Sequence, residues 1–225
     1  ATLQLKTLRT VETKDLTKSF QWNSGQEFQQ HDIQELCRVL FEAIEMSLSP
    51  EEENFINNLY EGYLASVVKC LQCNNESKRV DKFLDLSLPI RNEFEKIYNS
   101  SLEMALNNFT KPEILENDNQ YFCENCNAKV NASKFVKFEK LPNVLFIQLN
   151  RFEYDFMTGT RKKINDRVSF GQEINMDEYL EGSGFYDLFS IVVHSGGAPR
   201  AHNRAYRDPR RGFSSTSNAA RSHSP

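Results

Sequence analysis

The sequence predicts an α+β fold in which one long amphipathic helix precedes a series of β-strands. Apolar residues recur at steps of three and four between about residues 24 and 50, a pattern typical of a helix. Alternating apolar and polar residues begin at about residue 60 and indicate strands. Two C-x-x-C pairs lie inside this strand-rich part. These features together are typical of the α+β class.

An N-terminal capping signal, a stripe of apolar residues and a terminating proline predict the first long helix. Ser24 and Glu27 form a capping box, in which each side chain satisfies a first-turn backbone N–H. Pro50 ends the helix. Between them, one apolar stripe is formed by Ile33, Leu36, Cys37, Leu40, Phe41 and Ile44.

Strands are predicted on both sides of a shorter helix at residues 101 to 110. The segments EGYLASVVKC and KRVDKFLDLSLPI alternate, and VNASKFVKFEKLP is separated from NVLFIQLNRFEYD by the turn signal Leu141-Pro142-Asn143. A further strand is predicted around KKINDRVSF. The segment YDLFSIVVHSG is apolar on both sides, which predicts a central strand buried on both faces.

The composition changes at Pro199. Residues 199–225 contain six Arg, no Lys and one acidic residue, for a net charge of +5, whereas residues 1–198 carry −9. This tail has few aliphatic residues and no periodicity, so it cannot bury enough apolar surface to offset its ordering entropy. We expect residues 199–225 to be a disordered Arg/Ser-rich tail.

Bulk composition excludes several classes of partner. The net charge of −4 over 225 residues gives no basis for nucleic-acid binding, and no apolar run is long enough to span a membrane. The start, ATLQLKTLRT, has no basic region followed by an apolar run, so we expect no secretory signal and a location in the cytoplasm, the nucleus or both. The chain also begins without Met, and we expect it to be a fragment.

Four of the five cysteines form two C-x-x-C pairs, Cys70 with Cys73 and Cys123 with Cys126. Four thiolates from two such knuckles would complete a closed tetrahedral Zn²⁺ site of the structural type. The 49 residues between the pairs require two hairpin ends to lie side by side. A redox pair and free thiols remain alternatives, although duplication of the pair argues against the first. Cys37 lies on the apolar stripe, where a buried small hydrophobe is expected.

Five segments in order resemble the ubiquitin-specific protease family: SFQWNSGQEFQQHDIQELCRVLFEAIE, YFCENC, LPNVLFIQLNRFEYD, KINDRVSF and YDLFSIVVHSGGA. The resemblance covers about residues 2 to 198 and implies a papain-like fold described as a hand, truncated at both ends. Residues 1–60 would be part of a helical thumb, 61–140 would be antiparallel β fingers pinned by zinc, and 141–198 would be a β palm.

The same resemblance implies a function. Family members hold ubiquitin between fingers and palm and pass its C-terminal tail to a Cys-His-Asp/Asn site, which hydrolyses the isopeptide bond after the last glycine. His202 falls on the position of the catalytic histidine, and Asp32 and Gln34 fall on helix positions that contact the ubiquitin tail. A carboxylate and an amide suit an extended, Arg-rich tail. The expected partners are ubiquitin and ubiquitinated proteins, and the expected state is a monomer.

The chain departs from the family pattern at its catalytic residues. The nucleophile motif, G-L-x-N-x-G-x-T-C, does not occur, and His202 is flanked by Ala201 and Asn203 instead of Gly and Tyr. We expect the isolated chain to hydrolyse nothing, because a triad acts as a unit. The alternative function is a non-catalytic ubiquitin-binding module. A zinc ribbon that binds nucleic acid would need a basic face, yet CNNESK and CENCNAK are near neutral.

Overall fold

The structure is a computed structural model that describes residues 33–49, 54–92, 97–155, 157, 159–197 and 200–207. Its helices are α1 (Ile33–Ser47), α2 (Phe55–Tyr60) and α3 (Leu102–Thr110). Its strands are β1 (Gly62–Cys70), β2 (Glu76–Phe83), β3 (Leu86–Pro89), β4 (Arg91–Asn92), β5 (Ile97–Tyr98), β6 (Glu113–Leu115), β7 (Tyr121–Cys123), β8 (Ala128–Val130), β9 (Ala132–Lys140), β10 (Ile147–Asn150), β11 (Phe152–Asp155), β12 (Thr160–Lys163), β13 (Glu173–Asn175), β14 (Phe185–Asp187), β15 (Ser190–Gly197) and β16 (Arg200–Arg207).

A four-stranded antiparallel sheet in the order β2-β1-β9-β6 dominates the first part of the described chain. β1 and β9 are rich in Val and Phe, which favour a pleated, half-buried surface. The β1–β2 pairing places Gly62 opposite Phe83 and Lys69 opposite Glu76. On the other side of β1, Cys70 lies opposite Ala132 at the start of β9. The sheet therefore carries the end of β1 and the start of β9 to one place.

The main core lies where this sheet meets α3 and the parallel pair β3–β10. α3 begins at Ser101, whose hydroxyl accepts a hydrogen bond from the Met104 backbone N–H at 3.2 Å, and this start confirms the predicted short helix. The core crosses residue 140, so the expected finger and palm ranges share it. Its buried residues are Leu86, Leu88, Ala105, Leu106, Phe138 and Met176.

Several predicted boundaries are confirmed. β9 ends at Lys140, directly before the predicted turn, and α1 follows the predicted apolar stripe. α1 packs on α2 through the rings of Phe41 and Tyr60, whose centroids are 4.6 Å apart. The capping box, Ser24 with Glu27, and the predicted binding residue Asp32 lie outside the described residues. Among the helices the structure describes, none is long and apolar enough to pass through a bilayer.

The strand predicted around KKINDRVSF is mostly wrong. β12 ends at Lys163, and the backbone that follows is irregular apart from an isolated bridge at Ser169. Ile164 and Val168 are nevertheless buried, and they pack with Ile90 in a small separate cluster. The apolar residues in this segment mark anchoring points of a loop rather than one face of a strand.

The prediction that YDLFSIVVHSG is one central strand buried on both faces is also wrong for the described residues. The second half of this segment, from Ser190 onward, belongs to β15, which pairs with β16 in a two-stranded ribbon. Val192 and Val193, on opposite faces of β15, are 39% and 41% exposed. Apolar residues on both faces therefore indicate strand propensity here without proving burial.

The predicted disordered tail from Pro199 differs from the structure over Arg200–Arg207, which is β16. β16 runs antiparallel to β15, with Ser190 opposite Arg207 and Gly197 opposite Arg200. The Ser190 hydroxyl also donates to the backbone carbonyl of Tyr206 at 3.0 Å. A polar segment can be ordered by backbone hydrogen bonds to a neighbouring strand, which an argument from apolar content alone does not detect.

Candidate functional site

The four predicted ligand cysteines converge on one point. Cys70 is the last residue of β1 and Cys123 is the last residue of β7, and both are fully buried. All four sulfurs lie within 4.8 Å of one another. The Sγ atoms of Cys70 and Cys126 are 3.9 Å apart, and those of Cys73 and Cys123 are 3.7 Å apart. We call residues 70–76 and 120–131, which carry this cluster, the cysteine tip.

Each knuckle of the cysteine tip has a tight backbone. The residue after the second cysteine of each pair, Asn74 or Asn127, has a positive φ of 59° or 50°. Asparagine tolerates this left-handed conformation better than most residues, because its short polar side chain can bond locally. In the first knuckle, the backbone N–H groups of Gln72 and Cys73 donate to the Cys70 sulfur at 3.3 and 3.4 Å. These N–H groups hold the Cys70 sulfur in place within the knuckle.

The two knuckles meet because β8 leads directly into β9, which pairs with β1. The Leu71 backbone N–H donates to the Asn131 carbonyl at 3.0 Å. The Asn131 side-chain oxygen accepts from the Gln120 amide at 2.9 Å, within the second knuckle. The long spacer between the C-x-x-C pairs thus contributes β2 and β6 to the sheet, and β9 follows the second pair.

The thiol groups of the cysteine tip influence one another's ionisation. The pKa of Cys73 is lowered to about 6, mainly by a hydrogen bond with the Asn125 side chain and then by one with the Asn75 backbone. The pKa of Cys126 is raised to about 12, mainly by its hydrogen bond with Cys73 and then by burial. One thiolate therefore forms readily at Cys73, and Cys126 resists a second negative charge. A divalent cation would offset that repulsion.

The sulfur spacing fits such a cation. In a tetrahedral thiolate site with metal–sulfur bonds of about 2.3 Å, neighbouring sulfurs lie about 3.8 Å apart. The two measured pairs, at 3.9 and 3.7 Å, agree with this value. The four cysteines could therefore hold one metal ion in a closed shell, with no position left open for a substrate.

Gln34, predicted to contact the ubiquitin tail, lies in the first turn of α1. Its side-chain amide donates a hydrogen bond to the Asp85 carboxylate. Arg38, one turn further along α1, forms an ion pair with the same carboxylate at 3.1 Å. Sequence analysis missed Asp85, whose only signal was a charged residue on the polar side of an alternating segment.

His202 lies on β16 with Ser195 as its cross-strand neighbour, and His194 lies opposite Asn203. The two histidines therefore belong to adjacent strands of one ribbon. The catalytic role assigned to His202 by resemblance stays a prediction.

Comparison with known proteins agrees with this arrangement. The family described as ubiquitin carboxyl-terminal hydrolase matches residues 1–214. Ubiquitin carboxyl-terminal hydrolase 47 of Drosophila melanogaster is 46% identical over 183 residues, covering 81% of this chain and 12% of that protein. The human protein of that name is 44% identical over 180 residues, covering 80% of this chain and 13% of that protein.

A second human relative, ubiquitin carboxyl-terminal hydrolase 40, is 38% identical over 214 residues, covering 92% of this chain and 17% of that protein. The chain thus spans less than one fifth of the length of these relatives. The family match extends over nearly the whole chain, including the cysteine tip, α1 and the β15–β16 ribbon. The chain belongs to the ubiquitin carboxyl-terminal hydrolase family, among the ubiquitin-specific proteases.

Proposed function

We propose that this chain is the ubiquitin-binding part of a deubiquitinating cysteine protease that hydrolyses the isopeptide bond after the last glycine of ubiquitin. The observation that carries this proposal is the family match over residues 1–214. The named relatives are all ubiquitin carboxyl-terminal hydrolases and are 38–46% identical to the chain. The partners would be ubiquitin and its conjugates, and the protein would act as a monomer in the cytoplasm, the nucleus or both.

The chain by itself is proposed to bind ubiquitin without cleaving its conjugates. Four of its five cysteines form the cysteine tip. The fifth, Cys37, is half-buried on α1 beside Tyr60, and burial followed by the influence of Cys37 raises the pKa of that tyrosine. A reactive thiol needs an accessible, stabilised thiolate, whereas a half-buried thiol on the apolar stripe of a helix is more typical of a core position. A histidine base without a nucleophile cannot form the covalent intermediate.

Two measurements on the same preparation test this function. Immobilised ubiquitin should retain the chain, whereas a ubiquitin probe with a thiol-reactive C-terminus should leave it unlabelled. Labelling would show that the chain contains a working nucleophile, and peptide mapping would identify it. Failure to bind ubiquitin would remove both the enzyme and the binding-module interpretations for this chain.

The metal of the cysteine tip is proposed to be one structural Zn²⁺. Four thiolates in a tetrahedral arrangement are typical of zinc or an iron–sulfur cluster, and the family resemblance favours zinc. Elemental analysis of purified protein should give one zinc per chain. Cys70→Ser should remove it, whereas Cys37→Ser, the same change outside the tip, should retain it. Stoichiometric iron with visible absorbance, or metal retained by Cys70→Ser, would contradict the assignment.

A further inference from the structure

Asp85 connects α1 to the body of the protein. We propose that Asp85 is a positioning residue that fixes α1 relative to the β3–β10 pair. In this way it directs the Gln34 side chain towards the C-terminal tail of ubiquitin. This inference rests on the proposed function and on the predicted contact of Gln34 with that tail. Asp85 itself need not touch ubiquitin, because it acts through Gln34.

The contacts of Asp85 fix both the rotation of α1 and the direction of one side chain. Gln34 and Arg38 are four residues apart and lie on the same side of the helix. Both donate to the Asp85 carboxylate, Gln34 to Oδ2 and Arg38 to Oδ1, the latter at 3.1 Å. Because an amide is planar, holding Nε2 of Gln34 also sets the direction in which its Oε1 points. A carbonyl oxygen so directed suits the guanidinium and backbone N–H donors of an extended Arg-containing tail.

Asp85 can serve as a fixed reference because it directly precedes β3. The next residue, Leu86, is 2% exposed in the main core, and its backbone N–H donates to the Phe146 carbonyl at 2.8 Å. β3 then pairs with β10 along its full length. The Asp85 side chain is only 8% exposed, so its carboxylate is held in a largely desolvated position. The position of α1 is thus fixed relative to β3, a strand of the main core.

A purely structural ion pair is the competing explanation. The Arg38 side chain is 64% exposed, and ion pairs with so much solvent contact contribute little to stability. The contact with Gln34 is different, because it determines the placement of one side chain. It can do so without changing the free energy of unfolding of the whole protein very much. A positioning role therefore predicts a change in tail-dependent ubiquitin affinity, which a purely structural ion pair does not predict.

The first arm of the test reports on α1 alone. With metal bound at the cysteine tip, Cys37 is the remaining thiol, and its alkylation rate reports how firmly α1 is docked. Asp85→Ala should raise that rate about tenfold, since hydrogen bonds to a charged group are lost. Asp81→Ala is the matched control, because Asp81 is exposed on β2 and pairs with Arg79 on the same strand. An unchanged Cys37 rate in Asp85→Ala would overturn the proposal.

The second arm measures ubiquitin affinity with and without the tail. For the unmodified chain and Asp81→Ala, removing the tail from ubiquitin should weaken binding markedly. We define the tail ratio as the dissociation constant for tailless ubiquitin divided by that for intact ubiquitin. For Asp85→Ala, this ratio should fall about tenfold. Gln34→Ala should give the same reduced ratio, and the double variant should lose no more, as expected when one residue acts through the other. Asp85→Asn, which keeps one acceptor oxygen, should restore much of the ratio.

The outcomes separate this inference from the proposed function. If the unmodified chain binds ubiquitin with a clear tail dependence that Asp85→Ala retains, the positioning role is wrong and the function stands. Additive losses in the double variant would also contradict a role through Gln34. If the unmodified chain binds neither form of ubiquitin, the proposed function fails, and the positioning role that depends on it fails as well.

Discussion

Glu139, near the end of β9, shows how a single carboxylate couples two strands. It forms ion pairs with Lys78 of β2 at 2.8 Å and with Lys137 of its own strand at 3.5 Å. The pKa of Glu139 is lowered mainly by its hydrogen bond with Lys78. The positive charge of Lys78 and then the interaction with Lys137 lower it further. A carboxylate with a lowered pKa in the folded state stabilises the protein above its unfolded-state pKa.

The pH dependence of stability follows from that sign. Glu139→Gln should lower the melting temperature at pH 7. The difference between the melting temperatures of the two proteins should shrink as the pH falls below about 4, because the Glu139 carboxylate of the folded protein then becomes protonated. Thermal melts of both proteins between pH 3 and 7 would measure it. Glu113→Gln, the same change at an exposed position on β6 of this sheet, serves as the control. A Glu139 effect that stayed constant to pH 3 would contradict the ionic origin.

Identifying individual residues from the sequence succeeded where the chemistry is local and repeated. The C-x-x-C spacing predicted that Cys70, Cys73, Cys123 and Cys126 share a site, and the structure brings their sulfurs within 4.8 Å of one another. Asp85 could not be assigned in the same way, because its partners lie 51 and 47 residues away and no local pattern indicates them. Long-range pairing of single polar residues depends on the packing of whole elements.

At the scale of elements, α3 offers a test of local capping. Ser101 is extended, with φ −139° and ψ 164°, and its hydroxyl accepts from the Met104 backbone N–H. Ser101→Ala should lower the free energy of unfolding by about 1 kcal/mol. Ser100→Ala is a matched control, since the Ser100 hydroxyl donates to the Met104 sulfur at 3.2 Å and caps no helix N–H among the described residues. Urea unfolding measures both, and equal effects would show that the cap is not the cause.

The β15–β16 ribbon is the element on which sequence and structure disagree most. Ala205 lies on β16 opposite Val192. Proline at that position would remove a backbone N–H and fix φ, which a paired strand tolerates poorly. Hydrogen exchange should show protected amides in both β15 and β16, and Ala205→Pro should abolish that protection. Ala219→Pro, the same change beyond the described residues, should leave it intact. Rapid exchange in the unmodified chain would restore the disordered interpretation.

Those two elements also show why sequence patterns predict some elements and not others. α3 is specified by its own residues, through a cap and an apolar stripe, so its bounds could be predicted within one residue. β16 depends on a neighbouring strand, and composition alone predicted disorder. KKINDRVSF was predicted as a strand, but its buried residues Ile164 and Val168 anchor a loop, and the pattern could not distinguish the two.

At the scale of the whole molecule, two apolar clusters lie at opposite ends of the long sheet. The main core contains Leu64 and Phe138, near the start of β1 and the end of β9. The cysteine tip has its own small cluster of Cys70, Cys123 and Val130 at the other end. Nine residues of β1 separate these ends by about 26 Å, at the usual rise per strand residue. We therefore expect the stability of the tip to depend on the proposed metal more than on the main core.

Removing the metal should unfold the cysteine tip while the main core persists. β7 and β8 have three residues each, and so short a hairpin is marginal without further support. Metal binding contributes directly to the folding of such sites. After treatment with a chelator under reducing conditions, hydrogen exchange should accelerate at residues 70–76 and 120–131, but amides of α3 and β10 should stay protected. Added zinc should restore the protection. Loss of protection throughout would show that the metal supports the entire fold, whereas unchanged exchange at the tip would show that backbone pairing alone holds the two knuckles together.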